Sequence, residues 1–289
     1  ARAILKRAID NYPNRGKTRI PQAESALVGG FSHEYIGYMQ GGLHRGSFRP
    51  LNDAIMAGRI RGAAGVVGCN NARVPHDEGM MKVIKTLIAN DVLVVTTGCT
   101  AHACSKYGYL LPEMMEAAGP GLREVCEAIG IPPVINLGSC VDNSRILTIL
   151  TQCATEGGLG EDISDLPAVG MAPEWMSEKA ISIGTYFAAS GAHVIFGVHD
   201  IMSGAPEVTE ILTKKWEERF GGTMEFIPDY DKQIERALEL IDEKRAALNL
   251  PAWEPGKFGQ SGDAMMEAFL ALPPDQRNPY SAKALTQAK

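Results

Sequence analysis

Three cysteines of this 289-residue chain stand in one matched context. Ala64-Gly-Val-Val-Gly-Cys69, Val94-Val-Thr-Thr-Gly-Cys99 and Val134-Ile-Asn-Leu-Gly-Ser-Cys140 each carry an apolar β-forming run into glycine and then a thiol. Ligands of open α/β sheets gather beyond the carboxyl ends of the strands, so sulfurs far apart in sequence can converge there. A preceding glycine lets the backbone turn sharply. A helix N-terminus just beyond the sulfur favours thiolate, the form that binds metal. One such cysteine reads as a small core residue; three at matched strand ends point to ligation. Cys104, Cys126 and Cys153 fall within helical stretches instead and read as packing.

Three sulfurs fall one short of a closed tetrahedral zinc site or a four-thiolate iron–sulfur cluster. No CxxC pair is present, which argues against a zinc ribbon. Either a histidine completes the set or the other ligands come from outside this sequence. His76 and His102 lie nearest to Cys69 and Cys99 along the chain and are the local candidates.

The elements that must position these thiols follow from periodicity. Strands are expected at 26–30, 63–68, 92–97, 133–137, 166–170, 193–198 and 224–227. Helices are expected at about 77–90, 111–129, 143–155, 174–190, 206–220 and 230–247, where apolar positions recur every three to four residues, as in Met80, Met81, Ile84, Leu87 and Ile88. Strands apolar throughout and separated by helices indicate βαβ units and a mostly parallel sheet covered on both faces. The expected fold is therefore α/β, a doubly wound, three-layer, Rossmann-like domain over 24–250. Residues 1–23 read as a helical lead-in, and 251–289 as a wrapping tail with one short helix near 263–271. The chain lacks an initial methionine and opens inside a helix, so it is expected to be a fragment of a longer one.

Composition limits the function classes. The formal charge is −6 with no basic block, which argues against a nucleic-acid or anionic-membrane surface. No apolar run reaches the roughly 18 residues of a membrane span. Six cysteines in a long, core-rich chain suit free thiols in a reducing cytoplasm better than a disulfide framework. No GxGxxG follows the early strands, so a dinucleotide-binding role ranks last.

The blocks VVGCNN (66–71), TTGCTAHAC (96–104), NLGSCVDNSRI (136–146) and PEWMSEKAISIG (173–184) together resemble the anaerobic nickel–iron carbon monoxide dehydrogenases. The resemblance covers essentially residues 24–250, and GSCVDNSR and EKAxxIG are its most specific parts. It implies an oxidoreductase that interconverts CO and CO2 at a nickel–iron–sulfur cluster of the Ni-4Fe-4S type. Cys69 and Cys99 would then ligate irons and Cys140 nickel. Lys179 would stand beside the substrate, and Ile183 would shape an apolar pocket for a diatomic gas. A lysine ammonium in a water-poor site stabilises developing negative charge and moves protons. Asp142 and Asn143 could contact the metal ligands or cap the helix after Cys140, and capping is the more economical reading.

The family's remaining active-site ligands, a histidine and two cysteines, lie in an upstream Rossmann-like domain, and a proton-transfer histidine and the cysteines of its electron-carrying 4Fe-4S clusters lie near its N-terminus. None of those motifs is found in this sequence. The resemblance implies joining or docking to that missing N-terminal half, a homodimer, a ferredoxin-like electron carrier and, in some members, acetyl-CoA synthase. Two other readings stand beside it: a hybrid-cluster enzyme reducing small nitrogen compounds, and a non-catalytic α/β metal-binding module.

Overall fold

The computed structural model describes residues 1–20, 22 and 26–258. A lead-in helix α1 (Arg2–Asn11) is followed by the short helices α2 (His33–Met39), α3 (Gly42–Arg45) and α4 (Arg49–Met56). Strand and helix then alternate: β1 (Gly62–Val66), α5 (Glu78–Ala89), β2 (Val92–Thr96), α6 (Gly98–Lys106), α7 (Pro120–Ile129), β3 (Val134–Asn136), α8 (Asn143–Thr155), β4 (Ala168–Ala172), α9 (Glu178–Ala189), β5 (His193–Phe196), α10 (Pro206–Glu210), α11 (Trp216–Phe220), β6 (Met224–Phe226) and α12 (Tyr230–Ala247).

The six strands form one parallel sheet in the order β3-β2-β1-β4-β5-β6. This is the doubly wound order, in which the chain reverses its direction of travel between β1 and β4. All residues of β2 and β5 are buried, as expected for strands covered on both faces. Alternate residues of β1 face opposite layers: a side chain at Gly62 would meet Ile241 of α12, and one at Gly65 would meet Ile146 of α8. The helices α5 and α12 pack together on the first face. On the second, Ala63 and Gly65 of β1 and Gly170 of β4 are too small to fill the space under α8 and α9. An apolar cavity of about 170 Å³ remains there, reaching from the strand bodies to the thiol-bearing edge.

The segment 26–30 is not a strand. Its two glycines and half-exposed Leu27 and Val28 give it little to bury; instead Val28 N–H bonds the Leu110 carbonyl at 2.9 Å, and Gly30 and Phe31 N–H both reach the Asn136 carbonyl at 3.1 Å. The expected 111–129 helix is interrupted, because Gly119 sends its N–H to Ile88 and Pro120 restarts the helix. The stretch 206–220 holds a π turn, Ile211–Lys215, between α10 and α11. The strand expected at 166–170 begins two residues late, at Ala168. The helix expected near 263–271 lies outside the described residues.

The amino-terminal edge of the sheet is closed by residues 250–258. Arg245, 1% exposed, donates to the carbonyls of Ile55 (2.9 Å), Ile60 (3.3 Å), Arg61 (3.1 Å) and Pro251 (2.8 Å). Asp91, also buried, accepts from Leu122 N–H at 2.8 Å and from Trp253 Nε1–H at 3.0 Å. The Arg61 guanidinium, paired with Asp242, lies 4.5 Å from the centre of the Trp253 ring. Among the described residues no helix is long and apolar enough to cross a membrane.

Candidate metal centre

The carboxyl ends of β1, β2 and β3, three neighbouring strands, carry Cys69, Cys99 and Cys140. Each thiol follows a glycine of positive φ: Gly68 at 110°, Gly98 at 59° and Gly138 at 127°. Gly98 shows why. A Cβ there would lie 2.6 Å from the Cys140 sulfur, so only glycine lets the end of β2 approach that thiol. Gly98 N–H also bonds the Gly138 carbonyl at 2.9 Å, tying the two cysteine loops together. Thr97 Oγ1–H donates to Asn143 Oδ1 at 2.6 Å in a buried cross-link between the same loops.

Cys99 lies in the first turn of α6, and Cys140 opens a 3-10 turn that runs into α8. Neither residue caps α8 as expected: Asn143 bonds Thr97 instead, and Asp142 closes the 3-10 turn before it, its carboxylate accepting from Arg145 Nε at 2.9 Å and Ser139 N–H at 2.7 Å, bonds that hold it below the ordinary carboxylate range. Cys69 departs from the expectation of a following helix. The loop 67–77 separates it from α5.

The thiols interact. Cys99 is exposed, but partial burial of its thiol pushes it up, the neighbouring Cys140 and Cys69 push it further, and the Lys179 ammonium opposes them. That direction is opposite to the one expected from its place at a helix N-terminus. Cys69, Cys140, Lys179 and Ile183 line the same apolar cavity. Lys179, in the first turn of α9, is exposed, and Ile183, one turn further, is half-buried.

Neither local histidine joins the thiols. His76 is exposed and pairs with Asp77 at 3.5 Å, and His102 is exposed on α6. Among the described residues no three His, Cys, Asp or Glu side chains are grouped closely enough to hold one metal ion. A donor set of three soft sulfurs, too spread to share one ion, suits a polynuclear group in which each sulfur binds its own metal atom. The other thiols behave as packing: burial pushes Cys104 and Cys153 up to about 12, and Cys126 also rises.

Sequence reasoning missed the residues that hold the loops. Buried Glu174 accepts from Asn70 Nδ2 (3.1 Å), Asp77 N–H (3.2 Å) and Met80 N–H (3.3 Å). Asp77 is ion-paired with Lys106 on α6, the helix that carries Cys99, and is held below its ordinary range despite burial, by hydrogen bonds from Lys106 and Asn70. Asn71 Nδ2 donates to the Trp175 carbonyl at 2.7 Å. The only sequence signal for these was a run of polar residues beside a thiol, which is equally common in solvated loops.

A model of the Prismane/CO dehydrogenase family matches residues 1–231. Carbon monoxide dehydrogenase 1 of Methanosarcina mazei is 48% identical over 252 residues, covering 86% of this chain and 39% of the relative. Carbon monoxide dehydrogenase 2 of Carboxydothermus hydrogenoformans is 38% identical over 263 residues, covering 87% and 41%. Among solved structures, a nickel-free carbon monoxide dehydrogenase from Thermococcus sp. AM4 has a TM-score of 0.79 at 46% identity, covering 86% of this chain and 39% of that one. An acetyl-CoA synthase/carbon monoxide dehydrogenase, described with NiZn[Fe4S4] and NiNi[Fe4S4] clusters in its α subunits, gives a TM-score of 0.77 at 32% identity, with the same 86% and 39% coverage. The chain thus spans about two fifths of the length of these relatives.

Proposed function

The chain belongs to the Prismane/CO dehydrogenase family, and from that membership we propose that it supplies part of a nickel–iron–sulfur centre interconverting CO and CO2. The observation that supports this most is the convergence of Cys69, Cys99 and Cys140 on neighbouring strand ends, with the Lys179 charge acting on Cys99. Cys69 and Cys99 hold irons, and Cys140 holds nickel. Bound there, the cluster supplies the redox and Lewis-acid chemistry of CO + H2O → CO2 + 2 H+ + 2 e−.

The chain's own residues prepare the surroundings. Lys179 presents an ammonium on the wall of the cavity, where it stabilises negative charge growing on substrate oxygen and passes on a released proton. Ile183 and Ile146 line the same cavity, exclude water and leave room for a small uncharged gas. CO chemistry is favoured over reduction of small nitrogen compounds because the relatives described above are carbon monoxide dehydrogenases.

The remaining ligands and the electron-carrying 4Fe-4S clusters come from sequence beyond these residues. A second copy of the subunit, a ferredoxin-like carrier and, in some assemblies, acetyl-CoA synthase are the proposed partners. The test is anaerobic expression of this chain alone and joined to the upstream part of the subunit, with nickel and iron supplied. CO-dependent dye reduction only by the joined form is expected. Stoichiometric nickel and CO oxidation by these 289 residues alone would contradict a shared centre.

A further inference from the structure

We propose that Ser177 is a positioning residue for Cys69, its hydroxyl donating a hydrogen bond to the Cys69 sulfur across the crevice between β1 and β4. The inference rests on the reading of Cys69 as a metal-bound thiolate. It begins from an anomaly at the start of α9. Ser177 occupies the N-cap position with extended backbone (φ −104°, ψ 159°), where a serine hydroxyl ordinarily accepts from the first helical turn, yet its side chain makes no capping bond. The Ser177 Oγ lies instead 3.6 Å from Cys69 Sγ, within hydrogen-bond reach for sulfur, and both residues line the apolar cavity.

A thiol and a hydroxyl can each donate to the other. A metal-bound thiolate has no proton, so the hydroxyl must be the donor. The two loops are held in register by bonds beside this contact. Asn70 reaches Glu174 and Asn71 reaches the Trp175 carbonyl, while Trp175 Nε1–H is anchored on the Gly197 carbonyl at 2.8 Å. Ser177 therefore meets the sulfur because the backbone on both sides is fixed, not because a flexible loop happened to fold there. The contact also crosses the point where the strand order reverses, the place where this sheet type binds its ligands.

A hydrogen bond to a ligating sulfur draws electron density from it, which stabilises the reduced cluster and raises its potential. It also fixes which way the sulfur points. The experiment is a redox titration of the complete enzyme followed by electron paramagnetic resonance, comparing wild type, Ser177→Ala and Ser177→Thr. Ser177→Ala is expected to shift the midpoint potential of the active-site cluster downward while leaving the thermal midpoint of the metal-free protein unchanged, since the hydroxyl caps nothing. Ser177→Thr, which keeps the donor, is expected to hold the wild-type potential. A wild-type potential in Ser177→Ala overturns the proposal. A Cys69→Ala enzyme that keeps its full iron content would instead sink the ligand assignment on which it rests.

Discussion

At the amino-terminal edge of the sheet, Arg245 gives its guanidinium to four backbone carbonyls and Asp91 receives Leu122 N–H and Trp253 Nε1–H. At the carboxyl-terminal edge, Cys69, Cys99 and Cys140 stand on neighbouring strand ends, and Cys99 is pushed up by burial of its thiol and by its two neighbours. Both edges bury polar groups. The first answers most of them with the chain's own atoms, across elements as far apart as α4 and the 250–258 strap, and leaves Arg245 Nε unpaired among the described residues. The second spends its hydrogen bonds on the loops, through Glu174, Asp142 and Asn143, and leaves Cys99 exposed and Cys69 and Cys140 half-buried beside the cavity. A buried polar group without a partner costs stability, so the first edge is closed by the chain's own atoms, whereas accessible thiols at the second suit a ligand that binds soft donors.

Substitutions at the two edges should therefore fail in different currencies. The largest effect is expected from Gly98→Ala, whose new methyl would lie 2.6 Å from the Cys140 sulfur at a backbone φ of 59°. Displacing that thiol should lower CO oxidation by the complete enzyme by about 100-fold or more, with a stability cost of only about 1–2 kcal/mol from the strained backbone. Paired metal analysis and urea unfolding would show it; normal nickel content would break the contrast.

Arg245→Met reverses the pattern. Removing the guanidinium leaves buried carbonyls unpartnered, and a loss on the order of 3–5 kcal/mol is expected in urea unfolding. Metal per folded molecule should be unchanged.

His193 sharpens the comparison through pH. It opens β5 at the amino-terminal edge, meets Thr223 Oγ1 at 2.7 Å, and is lowered to about 4, first by burial and then by the Lys244 and Arg236 charges. The folded state holds it neutral, whereas the unfolded chain protonates it near 6.5. Its contribution is thus complete above pH 6.5 and is lost as pH falls from there through about 4. The loss amounts to roughly 3 kcal/mol at most. Unfolding curves at pH 7 and pH 4 should show that fall in wild type and a smaller one in His193→Gln. The smallest effect is expected from Trp253→Phe, which removes one hydrogen bond to Asp91 and should cost about 1 kcal/mol in the same assay.

The thiol edge was legible in sequence because its signal is local. Each of the runs ending at Cys69, Cys99 and Cys140 couples an apolar strand to a glycine that must turn, and the turn is where the structure has it. The sheet was legible for the same reason, since β2 and β5 are apolar at almost every position. What escaped was decided by contacts distant in sequence. Nothing in residues 26–30 shows that their N–H groups will meet single carbonyls of Leu110 and Asn136 rather than a ladder. Helices α2 to α4 are too short to show a period. Ser177 before Glu178 and Lys179 reads as an ordinary cap; only the fold brings Cys69 within its reach. Thr97 and Asn143, likewise, become partners only when β2 and α8 are neighbours.

The most direct measurement is the nickel and iron content of the complete, anaerobically purified enzyme carrying Cys69→Ala, Cys99→Ala or Cys140→Ala, read beside its unfolding midpoint. Loss of nickel from Cys140→Ala and loss of iron from the other two is expected, each with a stability change of the metal-free protein within about 1 kcal/mol, since these thiols sit at the surface end of the strands rather than in the core. Full metal content in all three variants, or collapse of the metal-free fold in any of them, would show that this edge is packing and not a metal centre.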